Sequence, residues 1–349
     1  MRQSVVAIVL VAGLAAAAQA QTAKPAEGPY RFIKEIKIGG EGSCDFLTMD
    51  PAGRRLYVSH ATTFVVVDVD KDTVVGQITD TPGAHGFAVA SKLNRGFTSN
   101  GREAKSSMVD LKTLQTLSKI DTGKNPDYIF FEPGREEVYS FNPGDKNATV
   151  IDPKTGTVVT TIALSGAPEL AAADPKAGRV YVNIADKAEV AVIDTKTHAV
   201  VAAWPIAPGE GASGMAIDLV NHRLYLGCGN KMIVVLDSTS GKVVTTVPAG
   251  AGIDGAEFDP ATRLVFTPNG ADGTVTIARA DGPDKLTVIQ TLTTQVRAKT
   301  MALDPRTHRI YVGVAEFTTP TGPDGKPGRP VVVPNTLKVL VYGMIGKRS

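Results

Sequence analysis

The sequence predicts an all-β protein, a seven-bladed β-propeller of four-stranded antiparallel blades, from three observations. An aromatic residue recurs seven times, at Tyr57, Phe97, Tyr139, Tyr181, Tyr225, Phe266 and Tyr311, with successive gaps of 40, 42, 42, 44, 41 and 45 residues. Each aromatic stands seven residues after a turn start: Asp50-Pro51, Ala90-Ser91, Glu132-Pro133, Asp174-Pro175, Asp218, Asp259-Pro260 and Asp304-Pro305. Between them lie short β-branched runs with no helical periodicity. A unit of roughly 42 residues carrying four strands is the pattern of blades set around a channel.

The elements follow in order. After each turn comes an alternating run such as Arg179-Val180-Tyr181-Val182-Asn183, then a third strand ending in Asp, such as Val190 to Asp194, then a fourth such as Ala199 to Trp204. Asp68, Asp110, Asp152, Asp194 and Asp237 close third strands before Lys/Thr/Gly-rich turns, where an Asp side chain bonds amides two residues on. The last unit supplies only three strands, ending with Leu337 to Tyr342. Tyr30 to Ile36 has the pattern of a fourth strand with no three before it, so it is expected to pair onto the last blade and remove an exposed edge. An open solenoid of the same units would leave its terminal repeats uncapped.

Tyr57-Val58-Ser59, Phe97-Thr98-Ser99-Asn100, Tyr181-Val182-Asn183 and Phe266-Thr267-Pro268-Asn269 resemble a Tyr-Val-Thr-Asn signature. With the Asp-Pro turns and Val-Ile-Asp strands, the chain resembles the YVTN-type, YncE-like propellers of bacterial envelopes across nearly its whole length beyond residue 20. The resemblance implies a binding or accessory role and no shared active site.

Residues 1–20 carry Arg2, an apolar run from Val5 to Ala18 and the small-residue end Ala18-Gln19-Ala20, the form of a cleavable signal peptide. Residues 21–349 are then one propeller domain, expected in the periplasm or secreted, monomeric, and without a membrane span. Only Cys44 and Cys228 occur, with no C-x-x-C-H or zinc-finger spacing, which argues against covalent haem and leaves free thiols or one bridge open. No nicotinamide motif is present, and the single Trp204 lacks the repeated Trp docking motifs of quinone-cofactor propellers. A net charge of +2 with 6% aromatic residues shows no basic stripe, which argues against a nucleic-acid partner.

Aligning the blades on their turns selects candidate ligand-binding residues. Five positions before each turn stand Asp45, His85, Asp127, Glu169, Ser213, Asp254 and Lys299, six of them ionisable and expected to share one channel mouth. Ten positions after it stand His60, Asn100, Asn142, Ile184, Cys228, Asn269 and Val314, of which His60, Asn100, Asn142 and Asn269 are candidate rim contacts. Two carboxylates about 8 Å apart at an effective dielectric near 20 repel by roughly 2 kcal/mol. The mouth must therefore be wet, hold a cation such as a divalent metal ion, or be neutralised by Lys299 and His85. His85, Asp127 and Glu169 form a candidate mixed N/O metal set, while His198, His222 and His308 fall in turns of the opposite face. The Pro/Gly-rich segment 316–336 replaces a short loop and is expected to lie over the rim. Three functions follow: capture of a small ligand, metal ion or envelope partner at the mouth; a metal-assisted lactone or ester hydrolase or lyase, with Glu169 or Asp254 as ligands and His85 as acid or base; or a protein scaffold using the long loop.

Overall fold

A computed structural model describes residues 28–321 and 326–344; the expected signal peptide lies outside them. The described residues form seven four-stranded sheets, each ordered from an innermost strand outward. Blade 1 runs Leu47–Asp50, Arg55–His60, Thr63–Asp68, Thr73–Ile78, and blades 2 to 6 repeat that order. Neighbouring innermost strands adjoin around the ring, and Leu47–Asp50 of blade 1 meets Met301–Asp304 of blade 7.

Burial explains the sequence pattern. Second and third strands are covered on both faces by adjacent blades, so Arg55–His60 and Thr63–Asp68 are buried almost throughout and read as continuous apolar runs. Outer strands such as Thr73–Ile78 face water along most of their length. The recurrent aromatics lie between blades, with Tyr57 stacked on Phe87 at 4.1 Å between centroids. The third-strand aspartates act as turn formers: Asp194 Oδ1 accepts the amides of Lys196 and Thr197 at 3.0 and 2.9 Å.

The ring closes as the sequence suggests. Tyr30–Lys37 pairs antiparallel with Lys338–Met344 and becomes the outer strand of blade 7. Tyr30 exchanges two 2.9 Å backbone hydrogen bonds with the Gln290 side chain of blade 6.

The face opposite the candidate mouth is more tightly tied than its turns suggest. His308 Nδ1 lies 2.7 Å from the Asp259 carboxylate, His198 Nε2 lies 2.8 Å from Glu137, and Arg54 spans to Asp304 of blade 7 at 2.9 Å. Two of the histidines placed in turns of this face, His198 and His308, thus join adjacent blades. Arg179 and Arg223 of the same face pair with Asp194 and Asp237.

Candidate functional site

The mouth is built from backbone outward. Ser59, on the second strand of blade 1, accepts the Asp45 and Phe46 amides through Oγ at 2.9 and 3.0 Å, and Thr300 of blade 7 donates to the Asp45 carbonyl. In blade 2, Ser99 accepts the Gly86 amide at 2.7 Å and donates to the Asp127 carbonyl of blade 3. The Asp127 amide donates to Phe141 at 2.9 Å. Asn183 of blade 4 donates to the Ser213 and Gly214 carbonyls of blade 5 at 3.2 and 2.9 Å. Small polar side chains of the second strands therefore hold the strand entrances, and the entrances carry the charges.

Those charges converge. His85 Nδ1 lies 2.5 Å from Asp45 and 3.3 Å from Asp127, while Lys299 Nζ lies 2.8 Å from Asp45 and 2.6 Å from Asp254. Asp45 thus bridges the two cations. Glu169 makes no hydrogen bond among the described residues but feels the charges of Asp127 and Asp254. The edge is kept open at Gly101, in the turn after the second strand of blade 2, where a Cβ would stand 2.7 Å from His85 Nε2.

Electrostatics divides the carboxylates. Burial opposes ionisation of Asp45, but the His85 hydrogen bond and the Lys299 charge outweigh it and hold its carboxyl down at about 2. Asp127 is pushed up to about 6 by burial and then by the charge of Asp45; Glu169 is pushed up to about 7 by burial and then by Asp127. Burial pushes His85 down, and its bond to Asp45 with the charges of Asp127 and Asp45 more than reverses this. Two carboxyls with raised values beside an imidazole and an ammonium can release their protons to solvent as a cation arrives.

One ligand atom each from Asp45, His85 and Asp127 fall within 4.8 Å of one another, a spacing that suits a metal ion. Asp127 Oδ1 is buried and accepts no hydrogen bond. Grouping by distance places Asp45, rather than Glu169, with His85 and Asp127. Both sets come from three consecutive blades; the His85 ring turns toward Asp45, 2.5 Å away, and so joins that carboxylate to Asp127.

The second candidate set is turned away from the opening. Asn100 is buried and donates to Glu103 and Ser107 at 2.8 and 2.9 Å; Asn142 donates to Asn147 and Thr149 at 2.7 and 3.0 Å. Asn269 bonds the hydroxyls of Thr274 and Thr276 at 3.0 and 2.9 Å. These asparagines fasten the second strand to the third inside each blade. His60 is buried beneath Gly40, where a Cβ would stand 2.6 Å from its Cε1, and its Nε2 has no partner. The sequence places these four side chains at the rim because their backbone is there; the three asparagines turn their polar atoms inward to the third strand.

The segment 316–336 contains a short pair, Phe317–Thr318 with Val331–Val332; residues 322–325 lie outside the described residues. Arg297 stands 4.1 Å over the Phe317 ring, and Lys299, Arg297, Phe317 and Cys44 border a cavity of about 500 Å³ beside the mouth. Cys44 and Cys228 are both free thiols, each pushed up by burial, to about 12 and about 11.

One carboxyl escaped the alignment. Glu257 lines the channel below the ring, two positions before its turn, where the other blades carry Thr48, Ala88, Phe130, Ala172, Ala216 and Ala302. That break in an otherwise uncharged column is a property of the repeat and stands in the sequence itself.

Neither a family model nor a curated protein matches the chain. Among solved structures, a chain of Kuenenia stuttgartiensis hydrazine synthase is similar in shape, with a TM-score of 0.68 and 16% identity over 86% of this chain and 97% of that one. At this identity the likeness extends to the propeller fold, which hosts many chemistries. Among the described residues no helix is long and apolar enough to cross a membrane.

Proposed function

We propose that this is an exported binding propeller of the YVTN type that captures a divalent metal ion at its channel mouth, through Asp45, His85 and Asp127. The observation that carries this reading is the approach of their three ligand atoms to within 4.8 Å, with Asp127 Oδ1 buried and held only by the 3.3 Å approach of His85 Nδ1. Imidazole with carboxylates is a borderline-hard donor set suited to zinc or manganese, and three protein ligands leave positions open for water or a partner group. Without metal, His85 and Lys299 neutralise the carboxylates; a metal takes over that role and displaces the His85 proton. Binding therefore releases protons and tightens as pH rises through the range where Asp127 and His85 lose theirs.

Zinc and manganese titrations of metal-free protein test this reading. We expect one equivalent to bind, with Asp127→Ala weakening it by about tenfold or more. Stoichiometric binding unchanged in Asp127→Ala, or none with either ion, removes the proposal. A metal-assisted hydrolase is the second reading, favoured by Glu169, whose carboxyl at about 7 is matched to general acid-base work beside a bound cation. Turnover of a lactone by the metal-loaded protein, lost in Glu169→Gln, distinguishes it from simple capture.

A further inference from the structure

Below the charged ring the channel changes character. It runs from Phe46, Tyr128 and Leu170, each one residue along from a mouth group, to Pro51 and Pro305 at the far end, and encloses a cavity of about 510 Å³. That volume suits a small organic molecule. Its wall is apolar apart from backbone, Thr48, Thr300 and two side chains that ionise, Glu257 and Tyr128. Both residues are half-buried with their polar atoms open to the channel, and neither makes a side-chain hydrogen bond or an ion pair among the described residues. Six aromatic residues, Phe46, Phe87, Tyr128, Phe130, Phe131 and Phe258, share that wall. A lone carboxyl among aromatic faces is the chemistry that recognises an organic cation, which ring faces attract and a carboxylate pairs.

We propose that the central channel is a second ligand site, separate from the metal set at the mouth, that takes a small organic ammonium ion with its nitrogen on Glu257 and its apolar body against Phe46, Tyr128, Phe130 and Phe258. The pairing has a proton balance. Burial raises the Glu257 carboxyl to about 8, so the empty channel holds it neutral at pH 7. An arriving ammonium keeps its own protons, and Glu257 releases one proton to the buffer as the ion pair forms. Tyr128, pushed up by burial and by the Glu257 charge, stays protonated. The flanking strands Ala212–Asp218 and Met301–Asp304 and the paired strand Leu264–Asn269 present no titratable side chain to the channel wall. Asp127, Glu169, Asp254 and Lys299 stand at the entrance, where their own titration is common to wild type and a Glu257 variant.

Calorimetric titration with benzylamine and its neutral isostere benzyl alcohol, at pH 6 to 8 and in buffers of different ionisation enthalpy, tests the proposal. We expect the amine to bind about tenfold or more tighter than the alcohol and to release close to one proton at pH 7. Its affinity should rise up to about tenfold per pH unit below pH 8. Glu257→Gln should abolish both the preference and the Glu257 share of the pH dependence. Absence of amine binding at millimolar concentration, equal binding of the alcohol, or unchanged amine affinity in Glu257→Gln overturns it. The amine-alcohol contrast and proton count are read on wild-type protein, so a misfolded variant does not shield the proposal. Metal binding is titrated separately, so the failure of either site leaves the other standing.

Discussion

Asp127 shows how one carboxyl acquires a function through its neighbours. Its ordinary value is 3.8; in the fold, burial and then the charge of Asp45 bring it to about 6. The sign of the consequence follows from linkage: the folded state keeps a proton that the unfolded chain has already lost, so stability falls as pH rises from about 4 to about 6 and the loss is complete above that window. Asp127→Asn removes the ionisation. Thermal melts should show the variant gaining on wild type between pH 4 and 7 by on the order of 2 kcal/mol, and a gap independent of pH would contradict the assignment. Asp45 runs the other way: held at about 2 by His85 and Lys299 against the effect of burial, it stabilises the fold above its ordinary value and ceases to do so as pH falls from about 4 to 2.

At the scale of the element, the charged entrances depend on what the second strand places beneath them. Ser59 Oγ is the shared acceptor of two amides, Asp45 and Phe46, and is buried. Replacing it by alanine leaves those donors without their acceptor, at a cost of about 1–3 kcal/mol, and frees the backbone that aims Asp45. We expect Ser59→Ala to lower the urea midpoint and to weaken metal binding at the mouth, whereas Ser59→Thr, which keeps the hydroxyl, restores most of both. A variant with wild-type midpoint would show that the hydroxyl holds nothing. Asn100, Asn142 and Asn269 stand one residue further along at the same end of their strands and tie them to the third strand within the blade.

For the whole molecule, the decisive contact joins its two ends. Tyr30–Lys37 covers the edge of Lys338–Met344, and Tyr30 is fully buried against Phe266, with its hydroxyl donating to His308 at 2.6 Å. A chain shortened to begin at Ile38 exposes a long apolar edge strand, the ordinary template for edge-to-edge association. We expect such a truncation to lose cooperative unfolding and to self-associate with concentration, read by light scattering. A monomer with an unchanged melting transition would mean that the ring is held by its blade interfaces alone. Arg54–Asp304 also ties blade 1 to blade 7 across the opposite face, so closure has a second anchor.

Strand order, blade number, the closing strand and the column of charged entrances were legible in the amino-acid sequence because each is a repeat property. A spacing near 42 residues and a two-residue alternation survive translation along the chain, and an alignment on the Asp-Pro turns is already an alignment in space. Tertiary structure alone decided which polar groups meet. Asn100 and Asn142 bond inward because a buried turn must satisfy its own groups; His198 and His308 find carboxylates on neighbouring blades; Asp45, rather than Glu169, joins His85 and Asp127. Each outcome depends on distances between residues 40 or more positions apart or on side-chain direction at a shared edge, and neither periodicity nor composition carries that information.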